Sequence, residues 1–164
     1  MASVTQAQAQ TKGAGGAGRV LLLGTLIVGT LDMLDALTFF GFVRGAKLVR
    51  IPQSIAAGLL GREAFNGGAA TAVLGVLLHY FIAFGIVFAY WFASRRLHVL
   101  IEHPIMMGLL FGVACFFVMS YIVIPLSASG RGPFVMSVFL NGIIGHALLV
   151  GLPAALVVSR GGRS

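Results

Sequence analysis

Four apolar runs, at about Val20 to Val43, Thr71 to Ala93, Pro104 to Ser127 and Phe134 to Val158, take up most of the sequence. Each is close to 24 residues long. At ~1.5 Å per residue a helix of that length reaches ~36 Å, enough to cross a hydrocarbon core of ~30 Å with some tilt. In oil each backbone amide must find its partner inside its own segment, so runs of this kind are expected as helices. The fold class expected is all-α, an integral membrane four-helix transmembrane bundle.

Composition excludes the soluble alternative. The 164 residues are 59% hydrophobic and 9% charged, with a mean hydropathy of +1.02, whereas soluble globular chains carry about 25% charged residues. The net charge of +7 raises nucleic acid as a partner, but Arg19, Arg44, Lys47, Arg50, Arg95, Arg96, Arg160 and Arg163 flank the apolar runs. Arg44, Lys47, Arg50, Arg95 and Arg96 are therefore read as facing lipid headgroups. The aromatics lie within the runs and are not interleaved with basic charge as a stacking platform requires. The partner expected is the lipid bilayer, with a homo-oligomer or a larger membrane complex as a further option, and no nucleic acid. Cys115 is the one cysteine, which leaves no disulfide framework, CxxC pair or cysteine zinc site.

Residues 2 to 18 have almost no large apolar side chain, so residues 1 to 18 are expected as a disordered tail preceding a four-span domain over 19 to 160. Gly13, Gly15 and Gly18 have GxGxxG spacing, but no strand precedes them and the dinucleotide fingerprint lacks its context. The first run is too long for a secretion signal and offers no small-x-small cleavage site. Pro153, inside the fourth run, removes a backbone donor and should bend that helix unless a neighbour compensates. The sizeable connection, residues 44 to 70, has Pro52 to open a helix, Gly67 and Gly68 to close it, and Ile51, Ile55 and Leu59 at helical spacing. Because Gln53, Ser54, Arg62 and Glu63 share it, a short interfacial helix is expected between the first two spans.

Four spans put both termini on one side. That side carries Lys12, Arg19, Arg95, Arg96, Arg160 and Arg163, six against the five of Arg44, Lys47, Arg50, Arg62 and Arg131, which leans toward cytoplasmic termini.

Asp32 and Asp35 are the most informative residues. An acid near the centre of a span costs roughly 2.5 to 3.5 kcal/mol on the insertion scale, and the fourteen Leu, Ile, Val and Phe residues of the first run return roughly 0.3 to 0.6 kcal/mol each at best. The balance is near zero, so this helix needs neighbours that satisfy its acids. At i, i+3 spacing the carboxylates share a face and repel when both are charged. His79, Ser120, Tyr121, Asn141 and His146 all fall within about a turn and a half of the midplane, a depth that permits one internal polar cluster of Asp32, Asp35, His79, Asn141 and His146. Thr25, Gly29, Asp32 and Ala36 form a small and polar stripe, and Ala72, Gly75, His79 and Ala83 a comparable one; these faces are expected to pack together. Asn141 and His146 lie about 140° apart on an ideal helix and need not serve one site.

Gly108 and Gly112 make a GxxxG pattern and Ala147 with Gly151 a small-xxx-small pattern, which calls for close helix contact within one bundle or between copies. His98, Glu102 and His103 fit neither HExxH nor HxxEH spacing and read as a solvated connection. No Walker A motif, GxSxG elbow or nucleophile-base-acid set is present, so no enzyme, no metal and no resident cofactor are expected.

The stretches GTLDMLDA (29 to 36) and RIPQSIAAGLLGREAFNGG (50 to 68), with LLHYFIAFGIV (77 to 87), ASRR (93 to 96), IPLSA (124 to 128) and NGIIGHALLVGLPAAL (141 to 156), resemble those of an uncharacterised family of small bacterial four-span membrane proteins. The resemblance covers most of the chain after residue 20. It implies a multi-pass protein of the bacterial inner membrane and carries no activity, ligand or functional residue across.

Two readings of the polar groups stand. The sequence favours the first, in which neutral Asp and His hold a bundle together by interhelical hydrogen bonds and the chain is a structural or accessory membrane component. Alternatively, Asp32, Asp35 and His79 serve proton-linked or small-solute transport. A third reading is haem binding through two intramembrane histidines, which requires imidazoles facing each other from different helices.

Overall fold

The computed structural model describes residues 16–130 and 132–161. The expected disordered tail lies outside the described residues as far as residue 15, and so do Gly13 and Gly15. In chain order the helices are α1 (Gly16–Val43), α2 (Arg50–Leu60), α3 (Gly68–Ser94), α4 (Pro104–Leu126) and α5 (Met136–Gly161). Among the described residues no strand occurs, and α1, α3, α4 and α5 are long and apolar enough to cross a membrane. The chain is an all-α, multi-pass membrane protein. Its outward faces are as oily as its interior: Phe84, Phe88 and Phe92 are exposed on α3 and stack at i, i+4 with centroids 6.1 and 6.0 Å apart. Lipid is the solvent that suits such a face.

The two halves of the bundle differ. Toward the end that carries the start of α1 and the end of α5, side chains close the interior completely. Val28, Ala83, Val87, Val150 and Ala154 form one buried cluster, and Val20, Tyr90, Ala155 and Val158 form the next. Tyr90 is fully buried and satisfies its hydroxyl by donating to Leu100 O at 2.8 Å, which ties the α3–α4 connection to the bundle. Arg95 and Arg96 are exposed at this end, and Arg95 lies over the Trp91 ring at 5.7 Å.

GxxxG packing is internal to the chain. A Cβ at Gly108 would lie 2.8 Å from Ala155 Cβ and 3.0 Å from Leu152 Cα, and one at Gly112 would lie 2.7 Å from Ala147 Cα. Gly151 in turn abuts the Gly108 and Gly112 backbone. The two small-residue patterns thus face each other across α4 and α5, the close backbone approach such patterns permit.

Toward the opposite end the helices enclose a space, and α2 lies across it. Gly45 and Gly61, with φ of 70° and 63°, turn the chain into and out of α2, a backbone region open to glycine at little cost. Ile51, Pro52, Gln53, Ala56 and Ala57 are buried. Gln53 Nε2 donates to Gly68 O at 2.9 Å, and Ala128 N–H donates to Gly58 O at 2.9 Å, so α2 bridges the start of α3 and the chain just beyond α4. Gly75 receives the Pro52 carbonyl directly against its backbone. The sequence pairs the Gly75 stripe with α1; in the structure Gly75 serves α2 instead, while His79 and Ala83 on the same stripe do meet α1. Arg44, Lys47 and Arg50 are exposed at this end.

Three spans carry a π-helical segment: Leu37–Val43 in α1, Met119–Val123 in α4 and His146–Gly151 in α5. Each shows an i→i−5 bond, with Arg44 N–H donating to Phe39 O, Ile124 N–H to Met119 O and Leu152 N–H to Ala147 O. Two of them end just before Pro125 and Pro153. Proline lacks an N–H and crowds the carbonyl four residues back, and a widened turn accommodates both effects. The bend expected at Pro153 is taken up in this way.

Candidate functional site

The space beneath α2 is a pocket of about 500 Å³ lined by all five helices. Asp32, Asp35, His79, Asn141 and His146 all line it, with Ser120 of α4 and Arg50 and Ser54 of α2. Tyr121, at the same depth, is exposed on the outer face. The internal cluster expected from depth alone is therefore assembled around one void. Asn141 and His146 share it despite their angular separation, because the pocket follows α5 from Val138 to Val150.

The two acids diverge to different neighbours. Asp35 Oδ2 accepts a hydrogen bond of 2.8 Å from Asn141 Nδ2 on α5. Gly145, one turn beyond Asn141, leaves the room: a Cβ there would lie 3.0 Å from the same oxygen. Asp32 turns to α3, where its Oδ2 is 3.9 Å from His79 Nδ1. That is close enough for Coulomb attraction and too long for a hydrogen bond. Among the described residues no hydrogen bond reaches Asp32, and no lysine or arginine pairs with either acid.

His79 is 8% exposed. A carbonyl oxygen can only accept, so the 2.8 Å contact between His79 Nε2 and Gly29 O fixes the proton on Nε2. Nδ1, the other ring nitrogen, is the atom that faces Asp32. His146 Nδ1 lies 3.0 Å from Gly142 O and by the same logic donates, which leaves Nε2 as its basic atom. The ring packs edge-on to Phe116 at 5.7 Å.

At the inner end Val28, Val87 and Val150, at 1%, 0% and 1% exposure, close the bundle. At the outer end Arg50 is exposed and its guanidinium lies 5.4 Å over the Phe65 ring, a residue that does not line the pocket. Arg44 Nη1 donates to Ser137 Oγ at 3.4 Å. Lys47, Arg95 and Arg96 take no part in the pocket lining, and neither do Gly108 and Gly112. His98, Glu102 and His103 are exposed on the α3–α4 connection. Gly145 and the π segments are the features that sequence reading misses; Pro125 and Pro153 are the signals that could have located two of the latter.

The chain matches no protein-family model, no curated protein and no solved structure.

Proposed function

We propose that the protein exchanges protons and a small solute between the pocket and the aqueous phase at the α2 end, with Asp32 and His79 as the proton-carrying pair. The observation that carries this reading is Asp32 itself, a carboxyl at mid-span depth that lines a void and receives no hydrogen bond from the described residues. An acid retained to tie helices together would be saturated by donors and packed, since an unpaired polar group in a low-dielectric site is costly. The structural or accessory role that the sequence favours accounts for Asp35 and Asn141, and leaves both the void and Asp32 unexplained. Haem binding gains no support, because His79 Nε2 is committed to Gly29 and its other nitrogen faces a carboxylate.

In the proposed cycle a proton from water at the α2 end binds Asp32 or His79 Nδ1 and leaves to the opposite side once the inner end opens, while the Nε2–H bond to Gly29 stays in place. The reading involves no catalytic step. The family resemblance supports the bacterial inner membrane, and the six-to-five basic excess supports cytoplasmic termini, so that the pocket faces the opposite side. The valine layer blocks the inner end, so complete passage requires the helices to part, or a second copy to supply part of the path.

The test is protein reconstituted into vesicles with a pH-sensitive dye inside. Under an imposed pH gradient the parent should dissipate the gradient at least tenfold faster than empty vesicles, and Asp32→Asn should lose most of that rate. A parent no faster than empty vesicles, or an unaffected Asp32→Asn, contradicts the proposal.

A further inference from the structure

The polar groups of the pocket are out of electrical balance. Two carboxyls, Asp32 and Asp35, face a space whose fixed cation, Arg50, is turned onto Phe65. The pair's nearest basic atom is His79 Nδ1, 3.9 Å from Asp32. In an apolar surrounding such a site is stable only when positive charge is supplied, by protons or by a bound cation. The remaining wall decides which kind of cation. Beside the oxygens of Ser54, Ser120 and Asn141 the wall is mostly apolar, with Ile82, Ile86, Phe116 and Ile124, and among the described residues no three His, Cys, Asp or Glu gather to hold a metal ion. The wall does offer apolar surface and an aromatic face, the partners of an organic cation. A volume of about 500 Å³ lies within the ~300 to 1,000 Å³ of pockets that hold drug-sized molecules.

We infer that the pocket binds a monovalent organic cation with an apolar body, its charge seated between Asp32 and Asp35 in exchange for a proton. This rests on the exchange reading above and names its solute class. Cation and proton compete for the same carboxyls, so binding weakens as the pH falls.

The probe is tetraphenylphosphonium, titrated calorimetrically into the purified full-length protein in mild detergent. Saturable binding is expected at pH 8, at least tenfold weaker at pH 5 and at least tenfold weaker in Asp32→Asn, with Glu102→Gln, far from the pocket, equal to the parent. If Asp32→Asn does not fold, thermal protection of the parent decides. Tetraphenylphosphonium should raise its melting temperature and neutral triphenylphosphine oxide should not. Absence of saturable binding, binding indifferent to pH and to Asp32→Asn, or equal protection by the neutral compound overturns the inference, the last in favour of a seat for a lipid acyl chain. Proton flux in vesicles without cation binding removes this inference and leaves the exchange reading. Cation binding without flux upholds the site and removes the exchange.

Discussion

Asn141 Nδ2 and Asp35 Oδ2 meet at 2.8 Å across a sequence separation of 106, joining the last span to the first. Interhelical hydrogen bonds in membrane bundles contribute about 0.6 kcal/mol on average, and up to ~1.7. The Asp35–Asn141 pair belongs at the upper end because it involves a carboxyl. A double-mutant cycle of Asp35→Ala and Asn141→Ala, read by unfolding in mixed detergent, should give a coupling of about 1 to 2 kcal/mol. Additive effects would show that the contact holds nothing together.

Gly112 is a close-approach position and Gly85 is not. A side chain at Gly112 meets the backbone of His146 and Ala147, whereas at Gly85 nothing lies within 4 Å. Gly112→Ala should destabilise by about 1 to 3 kcal/mol, the usual range for overpacking. Gly85→Ala should be neutral or slightly stabilising, since alanine is the better helix former. Melting temperatures in one detergent compare the two, and equal values would contradict the α4–α5 packing.

His79→Gln separates the two nitrogens of the ring. The amide can still donate toward Gly29 O, but it has no atom that titrates. The variant should fold with a melting temperature close to the parent's and lose most of the vesicle proton flux. Full flux would assign proton carriage to Asp32 alone.

Ser54 is exposed on α2 and lines the pocket, and Arg96 is exposed at the opposite end. With Cys115 replaced by alanine, Ser54→Cys should react with a membrane-impermeant maleimide added to intact cells. Arg96→Cys should react only after permeabilisation. The reverse pattern would invert the proposed orientation.

Gly75 seats the Pro52 carbonyl, so Gly75→Val should lift α2 from α3. Labelling of Ser54→Cys should then quicken several-fold. An unchanged rate would show that α2 is held by other contacts.

The spans were legible in sequence because hydropathy over some two dozen residues outweighs every local signal: Thr71 to Ala93 was read where the helix runs Gly68–Ser94, and Pro104 to Ser127 where it runs Pro104–Leu126. The depth of Asp32, His79 and Asn141 was legible too, since helical rise is fixed. Their azimuth was not. Spacing puts Asp32 and Asp35 on one face, but which neighbour each acid meets depends on how α3 and α5 dock, and no local rule contains that. Ideal α-helical geometry sets Asn141 and His146 about 140° apart, and both line the pocket because it runs along α5 past both. Gly145 carries no signal in sequence that sets it apart from other helix glycines, because its role depends on Asp35 Oδ2 lying 3.0 Å from where its Cβ would be.

The most direct test of proton exchange at Asp32 is infrared difference spectroscopy of the membrane-reconstituted protein across a pH step. The expected spectrum contains a protonated-carboxyl band that grows on acidification and disappears in Asp32→Asn while the amide bands stay unchanged. A spectrum in which Asp32→Asn alters nothing would mean that Asp32 does not take up a proton from water, and the pocket would then be a void without the proposed chemistry.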